Sequence, residues 1–182
     1  MKPVICIAGP TASGKSAYAM KIARALDGEI INADALQVYA DLQILSARPE
    51  PAEMGDIPHH FFGHISGDVR YSTGQWLRDV EPLIFDILSR QKTPILVGGT
   101  GLYFRALLQG MADIPAIPNE VLKQTAKRLE AAGIAALREE AERLDPIAAQ
   151  RVLGDDPQRL QRIVNVALGT EQPLSALSLI HI

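Results

Sequence analysis

An α/β chain built on a doubly wound parallel sheet, with a helical segment added late, is what this sequence predicts. Three observations carry that reading. Short apolar runs recur at residues 4–8, 29–32 and 93–97. Amphipathic helical patterns separate them, and strands alternating with helices are the signature of parallel βαβ units. The sharpest polar clusters, residues 9–16, 34–39 and 98–103, each follow one of those runs. In an open parallel sheet, ligands bind at the carboxyl ends of the strands.

The first run, Val4-Ile5-Cys6-Ile7-Ala8, feeds into Gly9-Pro10-Thr11-Ala12-Ser13-Gly14-Lys15-Ser16. The octad fits G-x-x-x-x-G-K-[ST], the phosphate-cradling P-loop, so the fold expected is P-loop NTPase-like. Gly9 and Gly14 let the backbone bend tightly and bring its N–H groups onto phosphate oxygens. Lys15 adds a point charge and Ser16 offers a hydroxyl to Mg²⁺. The helix that follows points its positive end at the anion. Ala19, Met20, Ile22, Ala23 and Leu26 give that helix its apolar face. A di- or triphosphate ligand follows from the motif, without a choice between them.

The second run, residues 29–32, reads as a buried strand ending at Asp34, and residues 58–65 read as a further strand or extended segment. From 71 to 89 the pattern is helical, with Trp76, Leu77, Val80, Ile84, Ile87 and Leu88 on one side. Pro82 inside it predicts a kink, or a helix starting just before. The third strand, 93–97, turns at Gly98-Gly99-Thr100-Gly101 into a helix beginning near Leu102. Character changes after Gly110. Ile114-Pro115-Ala116-Ile117-Pro118 is a proline-spaced linker, and Asn119 caps a helix running to about Ala132. Gly133 ends it, another helix covers 135–144, and Pro157 starts a last one over 158–168. The expected organisation is a core over 1–112, a helical insertion over 113–153, a helix returning to the core over 154–174, and a tail over 175–182.

Composition narrows the class. At 182 residues the chain is long enough for one sizeable core, and 47% hydrophobic with 21% charged residues is ordinary for a globular protein. No apolar run is long enough to span a membrane, and the amino terminus lacks a signal-peptide layout. One cysteine excludes an internal disulfide, and Cys6 is expected as a small core residue in a reducing, cytoplasmic setting. A net charge of −3 advertises no global attraction to nucleic acid, so any RNA binding needs a local basic patch.

The clusters Asp34-Ala35-Leu36-Gln37-Val38-Tyr39 and Gly98-Gly99-Thr100-Gly101-Leu102-Tyr103, beside the P-loop octad, closely resemble the tRNA dimethylallyltransferase family. Pro58-His59-His60, Tyr71-Ser72 with Gly74, and Asp156-Pro157-Gln158-Arg159 with Arg162 match further, in the same order from Val4 to about Leu174. Ala35 departs from the serine usual after the aspartate, and Asn165 stands where the family generally has glutamate. The resemblance implies transfer of a dimethylallyl group from dimethylallyl diphosphate to N6 of the adenosine 3′ of the anticodon (position 37), in tRNAs reading codons that begin with U. Lys15, Ser16 and Mg²⁺ would then stabilise charge on the departing diphosphate. Asp34 is the expected base for the N6 proton. Thr100, the second expected catalytic residue, would hold Mg²⁺ or the diphosphate. Asp34, Ala35, Leu36 and Gln37 are the expected tRNA contacts at the reacting base, with Gln37 reading the adenine edge of an extruded nucleotide. Gln158, Arg159, Leu160, Gln161 and Arg162 are expected on RNA backbone. A cytoplasmic monomer is expected.

Each residue has a plainer reading. Asp34 and Thr100 could cap the helices after them. His59 and His60 are adjacent, so on a strand they face opposite ways and are expected to be structural. Trp76 on its apolar stripe is expected in the core. The nearest rival function is an ATP-dependent P-loop kinase of small molecules; the other is a noncatalytic nucleotide-binding domain. Against a kinase, there is no arginine-rich lid between late helices, and residues 98–103 have no obvious kinase role. The final hexapeptide, Leu177-Ser178-Leu179-Ile180-His181-Ile182, is what CTGTCTCTTATACACATC, a sequencing adapter, encodes. Residues 175–182 are therefore expected to be non-native and loosely packed, on a truncated chain.

Overall fold

The computed structural model describes residues 2–112 and 114–179. Its chain divides into two compact units between Gly110 and Met111.

In the first unit, strands β1 (Ile5–Ala8), β2 (Gly28–Asn32), β3 (His59–His60) and β4 (Thr93–Gly98) form a parallel sheet in the order β1-β4-β2-β3. The register places Ile5 beside Ile95, Ile30 beside Ile95, and Ile30 beside His59. The two central strands, β2 and β4, are buried at every residue. That is why their sequences read as unbroken apolar runs and not as alternation. Helices cover both faces. On one, α1 (Lys15–Leu26) lays Ala19 and Ala23 against Ile30, Ile95 and Val97. On the other, α3 (Thr73–Ser89) and α4 (Gly101–Gln109) pack Trp76, Val80, Ile84, Ile87, Tyr103 and Phe104 against Ile31 and Leu96. The Trp76 and Tyr103 rings stack at 4.3 Å between centroids.

Three expectations are corrected here. Helix α3 runs unbroken through Pro82 from an N-cap at Ser72, whose hydroxyl accepts from Gln75 N at 3.2 Å. A well-capped first turn and a continuous apolar face outweigh one lost backbone bond. The 58–65 segment is strand only at His59 and His60, with one isolated bridge between Tyr39 and Ile65. Cys6 is exposed, because β1 is an edge strand whose alternation leaves that side chain on its less covered side.

The second unit is helical: α5 (Asn119–Leu144), α6 (Pro146–Gln150), α7 (Pro157–Thr170) and α8 (Leu174–Leu179), after the short α2 (Pro51–Met54) of the first unit. Helix α5 loses helical dihedrals at Gly133, where the sequence placed a break. Leu137, Ala141, Ala148, Leu160, Ile163 and Val164 form the core. Helix α7, expected to return to the α/β core, shares its apolar face with α5 and α6. The buried Asp145 carboxylate accepts from Ala148 N at 3.0 Å and Ser175 N at 2.7 Å, joining the starts of α6 and α8. In the expected loose tail, Ser175 and Leu177 are buried, and 180–182 lie outside the described residues.

Candidate active site

Three strand ends build the site. After β1 the chain enters the octad Gly9, Pro10, Thr11, Ala12, Ser13, Gly14, Lys15, Ser16. Gly14, at φ 80°, makes the left-handed step that starts α1. Ala12 takes the same region at φ 63° without that freedom, so the loop carries backbone strain. Lys15 Nζ donates to Pro10 O at 3.0 Å, folding the ammonium across the loop. Ser16, in the first turn of α1, is exposed.

After β2, Asn32-Ala33-Asp34-Ala35-Leu36-Gln37 turns sharply. Asp34 Oδ1 accepts from Leu36 N at 2.9 Å, a local turn bond that leaves Oδ2 for other work. Asn32, fully buried, accepts from Asp34 N at 2.9 Å through Oδ1 and donates through Nδ2 to Asp34 O and Phe61 O. After β4, Thr100 occupies the N-cap position of α4 yet makes no cap bond; its Oγ1 accepts from Ala35 N at 2.8 Å. The capping alternative for Thr100 therefore fails, and the 98–103 cluster is tied directly to the Asp34 turn.

Two glycines let these ends meet. A Cβ on Gly98 would lie 2.0 Å from Ala33 O, so only glycine admits this approach of β4 to the Asp34 turn. A Cβ on Gly99 would stand 3.3 Å from Gly9 O and 3.4 Å from Asp34 Oδ2, which puts the carboxylate beside the P-loop. Asp34, Thr100 and the octad are thus one constellation.

Gln37 is placed differently from the adenine-reading role expected of it. Its Nε2 donates to Ser46 O at 3.0 Å and Ala47 O at 3.2 Å, so its amide donors serve its own loop. It lines a cavity of about 420 Å³ with Lys15, Ser16, Lys21 and Arg24 over a floor of Ala19, Met20, Phe62 and Val97, without Asp34 or Thr100. Leu36 is exposed and Ala35 half-buried. Sequence reading missed Lys21 and Arg24, which line this cavity from the second and third turns of α1. It also missed Asn32, although a polar residue closing a buried strand two before a turn aspartate is itself a signal.

The remaining expected contacts lie on α7 in the second unit. Asp156 caps that helix, accepting from Gln158 N and Arg159 N at 3.0 and 3.1 Å, and also pairs with Arg159 Nε at 3.2 Å. Gln158, Arg159 and Arg162 are exposed and Gln161 half-buried. Leu160 is fully buried in the helical core, so it packs and presents nothing to RNA.

His59 and His60 serve structure. The His59 ring bonds Ile57 O at 2.8 Å and His60 bonds Glu29 Oε2 at 2.8 Å. Burial of Tyr103 against Trp76 pushes its hydroxyl up to about 12, with Tyr39 and Asp34 adding to the shift, so it stays neutral.

Magnesium suits the oxygen donors present. Among the described residues no three His, Cys, Asp or Glu side chains cluster as a metal cage. An ion here would be held chiefly by phosphate oxygens plus the Ser16 hydroxyl, the mode magnesium favours. Thr100 commits one lone pair to Ala35 N, leaving its proton and a second lone pair.

Comparison with known proteins finds relatives in one family. The family model described as IPP transferase matches residues 37–179, and one described as isopentenyl transferase matches residues 2–64. A tRNA dimethylallyltransferase of Maricaulis maris is 52% identical over 96% of this chain and 57% of its own length. That of Rhizobium rhizogenes is 46% identical over 94% and 58%. The chain spans a little over half the length of the curated relatives it matches. Among solved structures, a eukaryotic dimethylallyltransferase acting on tRNA superposes with a TM-score of 0.83 at 30% identity, covering 97% of this chain and 44% of that one. The tRNA delta(2)-isopentenylpyrophosphate transferase of Staphylococcus epidermidis gives 0.57 at 33%, covering 96% and 58%.

Proposed function

This chain belongs to the IPP transferase family, and from that premise we propose that it carries the donor site and base of a tRNA dimethylallyltransferase. The reaction forms a bond between adenosine N6 and C1 of the dimethylallyl group, breaks the C1–oxygen bond to diphosphate, and delivers the N6 proton to a base. Asp34 is that base. Its Oδ1 is held by Leu36 N, so Oδ2, beside Gly99 and the P-loop, takes the proton. The backbone N–H groups of the octad and the α1 N-terminus hold the departing diphosphate. Lys15 leaves the Pro10 carbonyl to meet it, and the Thr100 hydroxyl donates to a phosphate oxygen. Ser16 and Thr100 would hold Mg²⁺, which when bound would supply further charge neutralisation on the leaving group. The acceptor is the adenosine 3′ of the anticodon in tRNAs reading codons that begin with U, with Gln158, Arg159, Gln161 and Arg162 on RNA backbone. We place the protein in the cytoplasm with its tRNA, acting as a monomer.

The single observation that carries this reading is that Gly9 O, at the start of the P-loop, and Asp34 Oδ2 lie 3.3 and 3.4 Å from one point over Gly99. A carboxylate there suits deprotonation of a nucleophile attacking next to a bound diphosphate. A kinase or a nucleotide-binding switch is not favoured, since the relatives are transferases acting on tRNA. Incubating the chain with dimethylallyl diphosphate and unmodified tRNA, beside an arm with ATP and small acceptors, tests it. Prenylated adenosine in the first arm alone is expected; phosphoryl transfer in the second arm would overturn the reading.

A further inference from the structure

We propose that Asn32 is the positioning residue that aims the Asp34 carboxylate, a role resting on the reading of Asp34 as the base. Asn32 is the last residue of β2 and fully buried. One short side chain makes three bonds: Oδ1 accepts from Asp34 N at 2.9 Å, and Nδ2 donates to Asp34 O at 3.0 Å and Phe61 O at 3.1 Å. It therefore grips the Asp34 backbone from both sides and fastens it to a second loop. Exchanging the amide nitrogen and oxygen would set the oxygen against two carbonyls and the nitrogen against an N–H, so only one orientation satisfies the network.

The second loop needs that anchor. Phe61 has φ 64°, a left-handed backbone that a bulky side chain rarely adopts. Two residues on, Gly63 N donates to Gln37 O at 2.8 Å, and Ile65 N to Val38 O at 3.0 Å. Asn32 thus braces the Asp34–Val38 turn against the 61–65 segment at its start, while those two backbone bonds brace it further along. Behind Asn32, its backbone carbonyl accepts from Trp76 Nε1 at 3.0 Å, which roots the clamp in the core. Serine at this position could supply the acceptor but not two donors, and aspartate could supply neither donor.

The test uses the 182-residue chain with Asn32→Ala and Asn32→Ser, alone and combined with Asp34→Asn. A base held even slightly off line loses rate steeply, so kcat for prenyl transfer is expected to fall roughly 10–100-fold. The KM for dimethylallyl diphosphate should stay within about twofold, because binding to the P-loop is untouched. Combined with Asp34→Asn the loss should shrink to less than about threefold, since the two residues act as a unit. Amide exchange followed by NMR reads the clamp without chemistry. In Asn32→Ala the Asp34 amide should exchange faster while the Trp76 indole N–H keeps its protection. An undiminished loss in the Asp34→Asn background, an unchanged Asp34 amide, or deprotection of Trp76 alongside it would each overturn the proposal. Should the parent chain transfer no prenyl group, the functional reading falls, and the exchange result still decides whether Asn32 positions Asp34.

Discussion

Acid should weaken the α/β unit through one carboxylate, Glu29. It is 2% exposed in β2, and its partners come from β3 and from the residues after α3. Arg90 grips both its oxygens, with Nη2 to Oε2 at 3.0 Å; His60 bonds Oε2, and Lys92 stands 3.5 Å from Oε1. The Arg90 hydrogen bonds are the main cause that holds Glu29 at about 2 instead of the ordinary 4.5, against burial, which pushes the other way. The folded value is depressed, so this stabilisation is fully present above pH 4.5 and is lost as pH falls through about 2. A drop of about 2.5 units at 1.36 kcal/mol each gives up to about 3 kcal/mol, an upper figure because Arg90 is 41% exposed and screened by solvent. Urea unfolding followed by Trp76 fluorescence measures it, since that sole tryptophan lies in the core of the same unit. Subtracting a Glu29→Gln series from the parent series isolates this group from the other carboxylates. Parallel acid slopes in parent and variant would refute the argument.

Lys15→Ala should weaken binding of dimethylallyl diphosphate by about 1.5–3 kcal/mol with the fold intact, the cost of one charge-assisted donor; unchanged affinity by calorimetry would remove Lys15 from the donor site. Asp34→Asn keeps an oxygen for Leu36 N but cannot take the N6 proton. Single-turnover prenyl transfer should slow roughly 10²–10⁴-fold with donor affinity preserved, whereas a mere turn-former would lose stability and not rate. Thr125 is fully buried in the helical unit and its hydroxyl has no partner among the described residues. Thr125→Val should therefore raise stability by about 1 kcal/mol in thermal unfolding followed by helix circular dichroism, and a loss would mean the hydroxyl is satisfied.

The strands that read most plainly from sequence were those buried on both faces. β2 and β4 announced themselves as continuous apolar runs because both faces of the sheet carry helices. β1 read as equally apolar but alternates in the fold, so Cys6 was misplaced. A run of five apolar residues does not say which of its sides a neighbour covers. Pro82 misled for a related reason. A local rule marks it as a breaker, while the apolar face from Trp76 to Ile87 and the Ser72 cap are what hold α3 together. Leu160 fell in with the RNA-facing set because its neighbours at 158, 159 and 162 are polar. Helical period alone would have turned it inward.

At the candidate site, the residues named from sequence that the fold brings together are those of telling side-chain type at the end of a strand: the octad, Asp34 and Thr100. The bonds between them were not legible, since they cross the sequence. Thr100 binds an N–H 65 residues away, and Asn32 a carbonyl 29 away. The alternative that Thr100 caps a helix came from its place before α4, and only the β2–β4 pairing brings Ala35 N to its hydroxyl instead. Gly98 shows the same dependence. In sequence it is one of several turn glycines, whereas in the fold it is the point where Ala33 O comes so close that any side chain would push Asp34 and Thr100 apart. Reactive groups can be guessed from composition at strand ends, but their aim is set by backbone contacts between strands distant in sequence. For that reason Asn32, which carries no reactivity of its own, escaped notice while holding Asp34 by its backbone.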